Sequence, residues 1–581
     1  MPQGGDINVA VVGGGIAGLT TALRLSQRGY KVTLYEEKPW LGGDFSSHRH
    51  PGSDVYHDVY PHIFSNFYVN LWDIVEKDLG LRRDSSAESD FAIRSSFKFV
   101  RPGHQRYMEI RDAGSLRMLP ANMFSGVAPP FDIFLWSYSM LDMLAHAFNP
   151  RKQLSDYSVS GFVQSRAYAT ERVVALHDFI IMVIWSVHGA DTSASSYRNF
   201  LLQAFRHLDP LLWLLKGDIQ QKIIGPLEQK LRDLGCKIHL NTRVTQVEVD
   251  GARVTGLKVQ DTEFYWPTHE ANPRRHEFRP VDEPLDYIVL AVPPKSLGLL
   301  AETGEEGHRI VDRVPRLAEI RRLNSEPIPT FDLYFTRKLP GIPAENVAMI
   351  DSSCELTYID LSQLWDNPDM KDITVLTVAT SDYWALPGDN AEENAYTMIK
   401  MLHRYVPQFD PGTRYGESPD IDWERSHYQS NRSDLLFLNQ VGSEAWRPDT
   451  HYQAISNLFF AGDLCNNKID MATLEAAVTS GLNAAIGIQK AAPLGAPIEI
   501  RHLATCPENI ILLLKLLLAP SAYAAKWWLT AGDAMKHVAN GRPKNWTADL
   551  ASMMRLPYAY AVDWMEATGS LWGSMLGGRR R

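Results

Sequence analysis

Three glycines at fixed spacing carry the first chemistry legible in this chain. Gly13, Gly15 and Gly18 satisfy G-x-G-x-x-G within Gly13-Gly14-Gly15-Ile16-Ala17-Gly18, and Glu36 follows 18 residues after the last of them. That set suits the binding of a dinucleotide. Gly13 permits a tight turn, Gly15 lets a pyrophosphate approach the backbone, and Gly18 lets a helix pack closely on a strand. Free amides at the helix start, from Ile16 and Ala17 onward, favour phosphate, and a carboxylate at Glu36 can accept hydrogen bonds from ribose hydroxyls.

The elements that must position these residues are present in order. An apolar run, Val9-Ala10-Val11-Val12, precedes the glycines. A helical pattern (Leu19, Ala22, Leu23, Leu25) follows and stops at Gly29, and a second strand is expected over Lys31–Tyr35. This predicts a strand–helix–strand unit. At this point NAD and FAD are equally open.

Composition sets outer bounds. With 581 residues, two or three domains are expected; 45% hydrophobic and 22% charged residues are the proportions of a folded globular protein. A net charge of −10 argues against nucleic acid as a partner. The four cysteines, Cys236, Cys354, Cys465 and Cys506, are widely spaced and include no C-x-x-C, so neither a disulfide framework nor a metal site is expected. A cytoplasmic setting fits this usage, and the N-terminus MPQGGDIN has neither the basic nor the apolar region of a signal peptide.

Three blocks carry a family resemblance. Leu41-Gly42-Gly43 with Glu36 upstream resembles the opening of flavin-containing oxidoreductases of the amine oxidase and phytoene desaturase superfamily. The resemblance implies FAD, held here by Glu36, Glu37, Gly42 and Gly43. The family's next residue is arginine; here it is Asp44, with Arg49 as the expected substitute. Asp58 to Leu71 (DVYPHIFSNFYVNL) resembles the segment that runs beside flavin and substrate tunnel in plant-type phytoene and ζ-carotene desaturases and hydroxysqualene dehydroxylases, matching at His62, Phe64, Tyr68 and Asn70. Asp58 and His62 are the candidate acid/base groups, although a histidine in a half-buried turn would look the same.

The second block runs from Leu215-Lys216-Gly217 to Val244; in the superfamily the residue at Val244 holds the adenine side of FAD through its backbone. The third is Asn457 to Asp463 (NLFFAGD) followed by Asp470 to Ala485. It resembles the signature in which Gly462 and Asp463 meet the ribityl–phosphate region and Met471 and Ala472 approach the flavin's pyrimidine end. A carboxylate at Asp463 could also cap a helix. Amine oxidases carry a lysine near the flavin and an aromatic cage; by alignment Thr330 and Thr473 occupy those positions.

The fold class implied is α/β (α+β overall). A Rossmann-like, GR2-type FAD-binding domain is expected over 1–90, 221–300 and 441–490. A substrate domain with mixed sheet and helical cap is expected over 91–220 and 301–440, and a helical extension over 491–581. The function implied is a desaturase- or dehydroxylase-like FAD oxidoreductase that takes a hydride from a hydrophobic isoprenoid, carotenoid or lipid-like substrate. The alternatives are an amine or amino-acid oxidase releasing hydrogen peroxide, or a non-catalytic flavoprotein. The apolar text between 119 and 215 reads as helical throughout, with no segment long enough to span a membrane. In the tail, Lys515 and Pro520 interrupt Ile510 to Pro520, leaving a segment too short to span. Trp527-Trp528 suit a helix lying in a membrane interface, with packing against the body or a partner as the alternative.

Overall fold

The computed structural model describes residues 7–51, 54–103, 106–112, 117–146, 154–204, 210, 212–266, 270–274, 277–388, 390–502, 507–539 and 543–577. The expected strand–helix–strand unit is present as Asn8–Val12, Ile16–Ser26 and Lys31–Tyr35. Its strands sit in a five-stranded parallel sheet ordered Lys237–His239, Lys31–Tyr35, Asn8–Val12, Tyr287–Leu290, Leu458–Phe460. Both faces are covered, which is why the central strands read as continuous apolar runs. On one face the helix Leu474–Ala491 crosses Ile16–Ser26 at Gly481, where a Cβ would lie 2.3 Å from the Ala17 carbonyl oxygen. On the other face, the antiparallel strands Thr242–Asp250 and Arg253–Tyr265 join at Gly251 (φ +58°), the turn read from Asp250-Gly251. Their valines share a core with Ala10, Val12, Ile288 and Leu290.

A second, seven-stranded sheet lies beyond, ordered His427–Gln429, Thr330–Tyr334, Val375–Thr380, Leu356–Asp360, Val347–Met349, Ser96–Val100, Met108–Arg111. Its pairings are antiparallel except that of Val347–Met349 with Ser96–Val100, so the sheet is mixed. Helices Pro130–His146 and Glu171–Trp185 pack on it beside Phe99, Ile110 and Ala348, and Ala391–Tyr405 packs against Phe331, Leu333 and Leu376.

Two expectations are corrected. The stretch before Lys216 is a strand, Leu212–Leu215, between Phe64–Ser65 and Phe91–Arg94. A four-residue apolar run takes whichever form its neighbours complete, and here two strand edges complete a sheet. The tail segment does not stop at Pro520: one helix runs 32 residues from Glu508 to Ala539, long and apolar enough to cross a membrane by length and composition. Proline forfeits one backbone hydrogen bond there, and the packed face carries the helix through it. A second helix, Pro543–Gly577, returns beside it.

Candidate active site and cofactor cleft

The glycine loop is built for close approach. Gly13 (φ +102°) donates from its amide to the Tyr35 carbonyl at 2.8 Å, and a Cβ on it would strike the Ala291 carbonyl oxygen at 2.2 Å. A Cβ on Gly18 would lie 2.0 Å from the Gly13 carbonyl oxygen, the helix–loop contact the motif predicts. Gly15 is different: nothing lies within 4 Å of the position its Cβ would take, so its backbone faces open space. Gly42 donates to the Gly14 carbonyl at 2.8 Å and bridges Gly15, bringing Gly42-Gly43 to the same rim. The helix beginning at Ile16 and Ala17 has no side-chain cap and no acid in its first turn, which leaves its N-terminal amides available to an anion.

Glu36 accepts hydrogen bonds from the Gly14 amide (2.7 Å) and the Lys38 amide (2.9 Å). Burial pushes its carboxyl up to about 7, with Glu37 adding to the effect. Glu37 itself is engaged by Arg243 at 2.6 Å, where the strand of Val244 leaves the sheet. The ladder is interrupted by a bulge directly after Val244, a local break that re-aims backbone groups. The Arg49 guanidinium lies over the Tyr56 ring, 4.3 Å from the centroid, on a strand paired with Tyr56–Asp58. At the family's arginine position Asp44 shares a buried group with Lys38, Asp434 and Asp463, and Lys38 is ion-paired with Asp434. Burial pushes the Asp44 carboxyl up to about 8, reinforced by Asp434 and Asp463.

Asp463 caps no helix, because the next one starts at Leu474. Burial raises its carboxyl to about 6. Gly462 (φ +132°) donates to Ser480 Oγ at 2.9 Å, and Met471 is buried. The Ala472 amide donates to Asn439 Oδ1 at 2.6 Å. Sequence reasoning missed the residue that shapes this loop. Arg447, fully buried, donates to the carbonyls of Asp463, Leu464 and Cys465 and pairs with Asp470. A buried arginine far from any motif leaves no local signal.

Next to Ala472 and Thr473 opens a cavity of about 320 Å³. Helix Glu171–Trp185 gives it Leu176, Phe179, Ile180 and Val183, one face at helical spacing, and the mixed sheet gives it Thr357, Ile359, Thr377 and Ala379, one face at strand spacing. His62 lines it beside Tyr60 and Tyr68. Its Nδ1 lies 2.7 Å from the Tyr60 carbonyl, which can only accept, so Nδ1 carries the proton and Nε2 the lone pair. Burial pushes the ring down to about 4 and keeps it neutral. Asp58 is not in this cavity. It accepts from Ser47 Oγ and lines a small crevice on the far side of His62, its carboxyl pushed up to about 8 by burial. Thr330 is buried at the strand start, donating to the Val59 carbonyl at 3.3 Å and accepting from Asn431. A wider surface cleft of about 670 Å³ around Gln164, Glu171, Asp178 and His188 touches none of these residues.

The sequence profile of the flavin containing amine oxidoreductases matches residues 16–488. The chain belongs to that family. It is an FAD-dependent oxidoreductase, and the open rim at Gly15, the uncapped helix and the Asp463 loop fit that cofactor. The 15-cis-phytoene desaturase of Synechococcus elongatus is 22% identical over 495 residues, 82% of this chain and 94% of that one. The zeta-carotene desaturase of Zea mays is 24% identical over 261 residues, 41% and 43% of the two chains. Among solved structures, cyclohexylamine oxidase from Brevibacterium oxydans aligns with TM-score 0.55 at 14% identity over 84% of this chain and 99% of its own. A putative protoporphyrinogen oxidase from Exiguobacterium gives 0.55 at 17% over the same shares. These likenesses place the fold. The family match ends before the helical hairpin of residues 508–577.

Proposed function

We propose that this flavoenzyme is a desaturase- or dehydroxylase-like oxidoreductase acting on a long apolar substrate of isoprenoid, carotenoid or lipid type. The observation that carries the reading is the cavity beside Ala472 and Thr473, whose walls are aliphatic and aromatic side chains from the helical cap and the mixed sheet. Such a space rewards hydrocarbon at about 25 cal/mol per Å² buried and penalises an ammonium group. Thr330 and Thr473 stand where an amine oxidase has its lysine and part of its cage, and the matches to carotenoid desaturases support the same choice.

Bound FAD supplies a hydride acceptor at N5. The chain's own residues do the rest. The cap helices and sheet hold the substrate and exclude water from the cavity. His62, with its proton fixed on Nδ1 by the Tyr60 carbonyl, presents a neutral Nε2 that can accept the proton released from substrate. Asp58 lies outside the cavity, in the crevice that His62 also lines, and accepts from Ser47.

Anaerobic bleaching of the bound flavin tests the proposal. Lipid extracts and carotenoid-type hydrocarbons should reduce it while an amine panel leaves it oxidised. Reduction by amines alone, with hydrogen peroxide on admission of air, would replace this reading with an amine oxidase.

A further inference from the structure

The C-terminal hairpin is apolar on two faces: Ile511, Leu512, Ala519, Ala522 and Leu556 pack into the core around a buried ion cluster, and a second apolar row points outward. Between its helices and the body, Lys515 is buried against Asp142 (2.7 Å) and Asp563 (2.9 Å), and His537 meets Asp549 at 2.7 Å. On the outward face of Glu508–Ala539, the positions Ile510, Leu513, Leu517, Trp528, Met535 and Val538 are exposed. They recur at helical spacing over roughly 42 Å at 1.5 Å per residue. The returning helix does the same: Met554 is 75% exposed and Tyr558 77%, against 64% for Leu517 and 63% for Trp528. An apolar face of this length on both helices is not the surface of a protein that meets only water.

We propose that this hairpin seats the protein on an anionic lipid bilayer, lying along the surface rather than crossing it. Three observations select that occupant. First, the inner face is held on the body along its length, by Lys515 with Asp142, by the Tyr523 ring against Tyr168 at 5.8 Å, and by Lys526 near Asp132 and Glu171. A helix so fastened offers its outer face to a plane and cannot thread a bilayer. Second, charge is segregated. Residues 507–581 hold nine Lys and Arg against five Asp and Glu, a net +4, while the remaining chain carries −14. Basic residues near an anionic leaflet gain about 1 kcal/mol each, whereas two copies of a segment of net positive charge repel. Third, five of the chain's 15 tryptophans fall in these 75 residues, a residue type suited to the boundary between headgroup and hydrocarbon.

The helix Pro130–His146 joins this face to the site. One side supplies Ile133, Trp136 and Met140 to the apolar cavity, and Asp142 on the same helix takes Lys515. A seated hairpin therefore brings the cavity's outer wall next to lipid.

Flotation of the FAD-loaded full chain with vesicles tests the proposal without requiring turnover, so its outcome is separate from the substrate reading. The protein should float with phosphatidylcholine–phosphatidylglycerol vesicles and partition at least about tenfold less into pure phosphatidylcholine. Leu517→Glu with Trp528→Glu and Met554→Glu should abolish flotation while the bound-flavin spectrum is kept. The milder Leu517→Gln with Trp528→Gln, which leaves folding less burdened, should weaken it severalfold. Absence of flotation by the unaltered protein, or flotation undiminished in flavin-loaded variants, would overturn it. So would a dimer in lipid-free sedimentation that the same substitutions split, since the face would then belong to a second copy.

Discussion

The guanidinium of Arg447, fully buried, is ion-paired with Asp470 and at the same time caps three carbonyls of the Asp463–Cys465 loop. Asp470 in turn accepts from Asn199 of the helical cap at 3.1 Å. One side chain thus fixes the loop at the end of the parallel sheet and, through Asp470, ties it to the helix Ala194–Ala204. Arg447→Met should remove about 3 kcal/mol or more of stability, because it strands a mostly buried carboxylate and three carbonyls together. Thermal unfolding and flavin retained after gel filtration measure it; a fully flavinated variant of unchanged midpoint would contradict the assignment.

Asp44 gives a pH dependence whose sign can be worked out. Its carboxyl is neutral below about 8 and anionic above, in a group that already holds Asp434 and Asp463. The pyrophosphate of FAD is an anion, so ionisation of Asp44 opposes it. Flavin affinity should therefore fall as pH rises through about 8, by up to about tenfold at one unit above. Asp44→Asn should remove the dependence. Titration of apoprotein with FAD, followed by flavin fluorescence, reads both.

His62→Gln should keep the flavin and lower turnover by about 10²-fold. Because burial holds the imidazole near 4, His62 is neutral through the physiological range. The unaltered enzyme should lose activity only as pH falls toward that value, and this acid limb should vanish in the variant. Unchanged flavin reduction by substrate would remove His62 from the reaction.

Thr330→Lys places an ammonium beside Asn431 and the Val59 carbonyl in a site that is almost fully buried. It should cost about 3 kcal/mol without conferring bleaching by amines, whereas Thr330→Ser should stay within about 1 kcal/mol. Denaturant unfolding separates the two.

The residues that read correctly from sequence are those whose reasons are local. Gly13 needs a positive φ and Gly18 a contact with its own loop, and both reasons lie within six residues of chain. Glu36 was found because it ends the strand that the motif predicts. Leu212–Leu215 misled because its form depends on partners at 64–65 and 91–94. Arg447 and the continuation of the helix through Pro520 were invisible for the same reason: a carbonyl cluster and a packed helix face exist only after folding.

The parallel sheet closes with Leu458–Phe460, added beside Tyr287–Leu290. Some 170 residues of chain separate these neighbours, including most of the mixed sheet. On the ribosome the Tyr287–Leu290 strand must therefore wait with an open, wholly apolar edge while the intervening domain is made. Loop closure over that distance is slow, and an unpaired edge is a template for wrong pairings. Synthesis speed and chaperone supply should thus govern the yield of folded protein.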